Sequence, residues 1–207
     1  MGRPKDQAAR REQLIQATLR TIAEHGLPGT TVKNIAEAAG ISPRLVPYYY
    51  PDLDSLVEAA HEAATQRYYW GRREVVTADA TAVAKLSWLM HTGLPRDGDT
   101  LLGQALNELS VSAGRRAEHA ALMTRLFDDE VSLYSSVLEE GRATGEFRLT
   151  EPPELVARTF VSLEDALGLH LLGRNSSLDL DRAEQQLAGY ARLATGADVT
   201  ATPPPAG

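Results

Sequence analysis

An all-α chain is what the sequence predicts, on three observations. Apolar residues recur at helical spacing in segment after segment. No stretch alternates apolar and polar residues as a half-buried strand would. Glycine or proline stands where each apolar stripe stops. The same pattern divides the chain into a small N-terminal head over 1–52, a longer helical body over 53–196, and a Pro-rich tail over 197–207 expected to be disordered.

The first helix runs from Asp6 to His25, with Leu14, Thr18 and Ile22 on one stripe and Ile15, Leu19 and Ala23 on the next; Gly26 closes it. Leu27-Pro28-Gly29 is a turn, and Thr30 or Thr31 caps the second helix. That helix, Thr31–Ala39, is weakly amphipathic through Val32, Ile35, Ala36 and Ala39. Gly40 supplies the position after a helix where the backbone turns with φ > 0. Ser42 then offers an N-cap oxygen and Pro43 sits at the first helical position, where its missing N–H costs nothing. Helix, glycine-bearing turn, helix, with exposed aromatics on the second helix, is the layout of a helix-turn-helix DNA reader. Asp52 is the expected N-cap of a long fourth helix, along which Leu53, Val57, Ala60, Ala64 and Tyr68 share one side to about Arg73.

The body continues as helices over Ala80–His91, Thr100–Ala113, Arg115–Glu140, Glu154–Leu172 and Leu180–Ala194. Glu154–Leu172 is apolar on two faces: Val156, Phe160, Leu163, Leu167 and Leu171 on one, and Leu155, Thr159, Ala166, Leu169 and Leu172 on the other. A helix apolar on two sides is buried on two sides. A dimer face is therefore expected from Leu155, Thr159, Ala166 and Leu169, joined by Ala183, Leu187 and Tyr190 of the last helix.

Charge and composition fit this division. The net charge of −7 hides a head of opposite sign: residues 1–50 hold seven basic side chains against four acidic ones, +3, which leaves −10 for the rest. A basic head on an acidic body allows local phosphate binding while the body resists non-specific adhesion to DNA. Cysteine is absent, which excludes disulfides, thiol catalysis and thiolate metal sites. No apolar run approaches the ~20 residues of a membrane span, and the N-terminus lacks a signal-type apolar stretch. A cytoplasmic protein with no membrane partner is expected. Enzyme chemistry finds no support. Asp128-Asp129-Glu130 and Glu139-Glu140 read as solvated helix faces, because neighbours on a helix diverge by about 100°. His25, His61, His91, His119 and His170 show no ligand spacing, so no metal and no cofactor is expected.

The head resembles the tetracycline-repressor (TetR) family of bacterial transcriptional regulators. The resemblance is carried by Ile22-Ala23-Glu24-His25-Gly26, Thr30-Thr31-Val32, Ile35-Ala36, Ala38-Ala39-Gly40-Ile41-Ser42, Tyr49-Tyr50-Pro51 and Leu56, in order and without a gap. It implies a homodimer of about nine helices per chain, with three in the DNA head and a small-molecule pocket in the body. Glu164 to Leu169 looks like the C-terminal domain type of the betaine-pathway repressors. Two positions depart from the family: Pro47 stands where a Tyr is usual, and Leu53 where a phosphate-touching Lys is common. Pro47 lacks the N–H that would bond the Pro43 carbonyl and disfavours the α region for Val46, so the recognition helix is expected to begin late or kink.

Position by position, the resemblance implies phosphate contacts at Thr31, Lys33 and Tyr49. Ser42 caps the recognition helix, and Pro43, Arg44, Leu45 and Tyr48 face base edges, with Tyr50 in the core. Arg3 and Lys5 form a basic arm that could reach a minor groove. Arg44, where the family commonly has a small residue, could bind guanine O6 and N7 together or contact phosphate alone. The pocket candidates are Trp88, His91, Met123, Phe127, Tyr134 and Phe160, with Glu108, Glu164 and His170 as polar anchors, which suggests an apolar or aromatic effector. The expected function is ligand-gated repression from a palindromic operator. The alternative is an architectural DNA-binding protein without a ligand, which would not need so large a helical body.

Overall fold

The computed structural model describes residues 4–96 and 100–204, and the side chains of 7–96 and 101–204. Among them are nine α-helices and no strand, as expected: α1 (Pro4–Gly29), α2 (Val32–Ala38), α3 (Val46–Tyr49), α4 (Leu53–Thr77), α5 (Ala82–Thr92), α6 (Thr100–Ala113), α7 (Ala117–Thr144), α8 (Pro153–Leu172) and α9 (Leu180–Thr195). No helix is long and apolar enough to cross a membrane among the described residues.

The chain forms two compact units. The first comprises Met1–Tyr68 and Gly98–Thr124, the second Tyr69–Asp97 and Arg125–Gly207. The first unit holds the whole of 1–52 and extends beyond it. The reason is packing: α6 lies along α1, and Ala105 and Leu109 of α6 share a buried cluster with Leu19 and Ile22 of α1 and Val57, Ala60 and Ala64 of α4. A second cluster of the first unit joins Leu14 and Ala17 to Ile35, Ala36, Ala39, Val46, Tyr50 and Leu56.

Local chemistry sets the ends of these helices. Gly26, at φ 66°, breaks α1 as expected, and the Thr30 hydroxyl donates to the freed Gly26 carbonyl at 2.8 Å. Thr31 caps α2 by accepting the Asn34 N–H at 3.2 Å. At the other end Ile41 N–H reaches the Ala36 carbonyl (2.9 Å) and Gly40 N–H the Glu37 carbonyl (3.0 Å). That is a Schellman closure with Gly40 at φ 65° in the left-handed region. Asp52 caps α4 through the Ser55 N–H at 2.7 Å, and this bond together with the Ser55 hydroxyl holds the Asp52 carboxyl below its usual range.

In the second unit α5, α7, α8 and α9 supply one core, centred on Leu86, Leu89, Met90, Tyr134, Val137, Leu138, Phe160 and Leu187. Phe147 closes the end of α7 over Gly141, where a Cβ would occupy the space of the ring. The C-terminal segment departs from the expectation of disorder. Val199 is buried in this core, and the Ser87 hydroxyl lies 2.6 Å from the Thr202 hydroxyl and accepts the Thr202 N–H at 3.1 Å. Val199 and the Ser87 hydroxyl of α5 dock residues 197–202, with Ala197 and Ala201 packed against the same core. Residues 205–207 lie outside the described residues.

Candidate nucleic-acid interface and a buried polar cluster

The recognition segment begins with a 3₁₀ turn, Pro43–Leu45, and only then becomes α3. The Pro43 carbonyl, lacking an N–H at Pro47, accepts from Val46 instead, one residue earlier than an α-helix would allow. The late start expected of Pro47 is therefore present. Its proposed mechanism needs one correction, because Val46 stays in the α region at φ −59°, ψ −48°. Val46 is 2% exposed and packs with Ile35 and Leu56, and this burial outweighs the local preference of a residue before proline. Ser42 takes the extended backbone of an N-cap, yet its side chain makes no capping bond, since a short 3₁₀ turn starts there.

Thr31, Lys33, Ser42, Pro43, Arg44, Leu45 and Tyr48 are all exposed, and Tyr49 is half-buried. Neither Lys33 nor Arg44 forms an ion pair among the described residues, so both charges face solvent uncompensated. Tyr50 is core, 6% exposed, and burial pushes its phenol pKa up against the pull of Arg11. The three tyrosines thus differ in burial: Tyr48 is exposed, Tyr49 half-buried and Tyr50 buried. Leu53 packs half-buried against both clusters of the first unit. Arg3 and the Lys5 side chain lie outside the described residues.

Sequence reasoning missed how α1 clamps this segment. Arg11 donates to the Tyr49 carbonyl at 2.7 Å and lies 4.9 Å over the Tyr50 ring. Arg20 donates to the Ala38 carbonyl (3.0 Å), and Gln13 to the Ala39 carbonyl (2.6 Å). Two of the head's basic residues therefore cap the carbonyl ends of α2 and α3. A basic or amide residue on the inner edge of α1 is the only signal the sequence carries for this.

The second unit holds a buried polar cluster around Arg72, which sequence reasoning also missed. Arg72 is 2% exposed and donates to Glu130 (2.6 Å), to both carboxylate oxygens of Glu164 (2.9 and 3.2 Å) and to the Leu89 carbonyl (3.2 Å). The Tyr134 hydroxyl donates to Glu164, and the Tyr134 ring stacks on Phe160 at 4.9 Å. Gly93 makes room for the Glu164 carboxylate, which a Cβ would strike. Burial pushes Glu130 up to about 8 against the pull of Arg72; burial also raises Glu164, opposed by Arg72 and Tyr134. The reading of Glu130 as part of a solvated face is thereby corrected: its side chain turns inward to the Arg72 guanidinium.

Of the pocket candidates, the structure brings together Tyr134, Phe160 and Glu164. Trp88 and Phe127 pack half-buried at the margin of the same core, and Phe127 carries the Arg158 guanidinium at 5.7 Å. His91 lies 4.0 Å from Glu184, and burial lowers its pKa. His170 is exposed beside Asn175. Glu108 and Met123 belong to the first unit, where Glu108 approaches Gly26 and the Met123 sulfur lies 3.3 Å from His61 Nε2. On α8, Leu155 and Leu169 are each 51% exposed, Ala166 is exposed and Thr159 half-buried. Ala183 and Leu187 are fully buried in their own chain's core, so the expectation that they face a second subunit is corrected. Tyr190 is half-buried, and its hydroxyl donates to the Val156 carbonyl at 3.3 Å.

The model of bacterial regulatory proteins of the tetR family matches residues 14–60. Over 74 residues, 34% of this chain, the sequence is 46% identical to the HTH-type transcriptional regulator BetI of Burkholderia mallei, and that match spans 37% of the relative's length. The fold resembles a TetR-family transcriptional regulator from Rhodococcus sp. at 26% identity and TM-score 0.78, covering 90% of this chain and 98% of the other. It also resembles a transcriptional regulator from Saccharomonospora viridis, solved in complex with choline, at 18% identity and TM-score 0.84, covering 91% and 98%. The family match is thus confined to the clamped helix-turn-helix and the start of α4, while the fold along nearly the whole chain is similar to that of a TetR-family regulator.

Proposed function

We propose that the chain is a DNA-binding transcriptional regulator, acting in the cytoplasm as a homodimer that leaves a palindromic operator when a small molecule binds its body. The observation that carries this is the recognition segment: Pro43, Arg44, Leu45 and Tyr48 stand exposed on a turn held rigidly by Gly40 and by α1. Thr31 and Lys33 at the start of α2 supply phosphate contacts beside it, with Tyr49 at the rim and the Ser42 hydroxyl, unused in capping, free to join them. The exposed Leu155, Ala166 and Leu169 of α8 support pairing of two copies, which would set two recognition segments about 34–36 Å apart. The second unit is the proposed seat of the effector, with Trp88, Phe127, Tyr134 and Phe160 favouring an apolar or aromatic molecule.

Footprinting of the purified protein on its own upstream DNA, with and without candidate ligands, tests this reading. Protection of a two-fold site that a ligand abolishes is expected. Protection that no ligand alters would favour the architectural alternative. Arg44→Ala should relax preference at one step of each half-site, by about 1–3 kcal/mol. Equal weakening on all sequences would make Arg44 a phosphate contact.

A further inference from the structure

The first unit contains a cavity of about 300 Å³ that lies apart from the recognition segment. Its apolar wall is formed by Leu27, Pro28, Leu53 and Val57, and its polar side by Arg115, Arg116 and His119 together with Thr30, Ser112 and the carboxylate of Asp54. The volume is at the small end of the range for ligand sites, about 300–1,000 Å³.

Charge on the polar side is unevenly used. Arg116 pairs with Asp54 at 2.9 Å, whereas Arg115 forms no ion pair among the described residues. His119 stands in the first turn of the 28-residue helix α7, whose positive end favours anions. It is 4% exposed, its Nδ1 lies 2.7 Å from His61 Nδ1, and no protein group among the described residues bonds its Nε2. Burial and then Arg116 disfavour a charge on His119, and Glu58, Glu118 and Asp54 oppose them more weakly.

We propose that this cavity binds a small amphipathic carboxylate, its apolar part against Leu27, Leu53 and Val57 and its carboxylate held by Arg115 and His119 Nε2–H. The histidine pair makes this recognition a two-state matter. A single hydrogen lies between the two Nδ1 atoms. When His119 owns it, His119 Nε2 is a bare acceptor that repels a carboxylate, and His61 Nε2–H faces the Met123 sulfur at 3.3 Å. When His61 owns it, His119 carries its hydrogen on Nε2 and can donate to the anion. Binding therefore exchanges both tautomers: His61 changes from Nε2–H to Nδ1–H and His119 from Nδ1–H to Nε2–H, through solvent, with no net proton gained or lost.

The test uses the full chain without DNA, so its result stands apart from that of the operator experiment. Fluorine NMR of para-fluorobenzoate should show line broadening with the native protein and none for the neutral para-fluorobenzyl alcohol. Arg115→Gln, at an exposed side chain, should weaken binding about tenfold or more by removing a charge-assisted bond, and Arg115→Lys should restore most of it. Long-range proton–nitrogen NMR should show His119 passing to its Nε2–H tautomer as para-fluorobenzoate is added. Equal binding of the alcohol, unchanged affinity in Arg115→Gln, no binding at millimolar concentration, or binding without the tautomer exchange would each overturn the proposal.

Discussion

His61 and His119 meet Nδ1 to Nδ1 at 2.7 Å, with their rings stacked 5.0 Å apart and both side chains buried. Only one hydrogen fits between them, so the folded pair resists a second proton. Burial lowers His61 to about 4, and the neighbouring His119 adds to the shift. The unfolded chain takes up a proton near 6.5 that the folded chain refuses. Stability contributed here is present above about 6.5 and is lost as pH falls toward about 4. Urea unfolding across that window should show the decline in the native chain and a flatter profile in His61→Leu.

Glu130 gives the opposite slope. Its folded pKa is raised to about 8 from 4.5, so the folded state keeps a proton that the unfolded state releases between those values. Its contribution is complete below about 4.5 and declines as pH rises through about 8. In Glu130→Gln, which never ionises, the alkaline part of this decline should vanish from the same unfolding series.

Among the described residues Arg72 is the one cation paired with both Glu130 and Glu164. Arg72→Met leaves the buried carboxyl groups of Glu130 and Glu164 without their shared hydrogen-bond donor and countercharge and should destabilise the protein by about 3–5 kcal/mol. Adding Glu130→Gln and Glu164→Gln to that variant should recover much of the loss in chemical denaturation. A single variant as stable as the native chain would show that water reaches the cluster.

Pro47 shapes the recognition segment by what it lacks. Pro47→Ala restores an N–H beneath the Pro43 carbonyl, worth about 0.5–1.5 kcal/mol, while the freer unfolded chain takes back about 0.4–1 kcal/mol. Overall stability should therefore move by less than about 1 kcal/mol. The amide at residue 47 should nevertheless exchange slowly with solvent, and operator preference should shift as the first turn widens from 3₁₀ to α.

Leu155 and Leu169 present their exposed surface on one helix. The double variant Leu155→Glu, Leu169→Glu should convert the proposed dimer to a monomer in sedimentation equilibrium while leaving the helical circular dichroism unchanged. Persistence of the dimer would move the interface to another face, such as that of Leu193, 77% exposed on α9.

The helices and their ends were legible in the sequence because the interactions that set them are local. Thr31, Gly40 and Asp52 act within a few residues of their own position, and apolar spacing marks one face of each helix wherever it packs. The roles expected of Pro43 to Tyr50 came instead from the family resemblance, residue by residue, and not from helical spacing. Spacing alone could not say which apolar face of α9 meets its own core, and so Ala183 and Leu187 were assigned outward. Only the tertiary structure brought Arg72 to Glu130 and Glu164, 58 and 92 residues away, or His61 to His119 across 58. A buried charge or imidazole is decided by what packing places against it, and no local pattern records that partner. Local hydrogen bonding and periodicity therefore determined the helices and their ends; long-range packing alone decided which of the polar groups are buried, paired and poised.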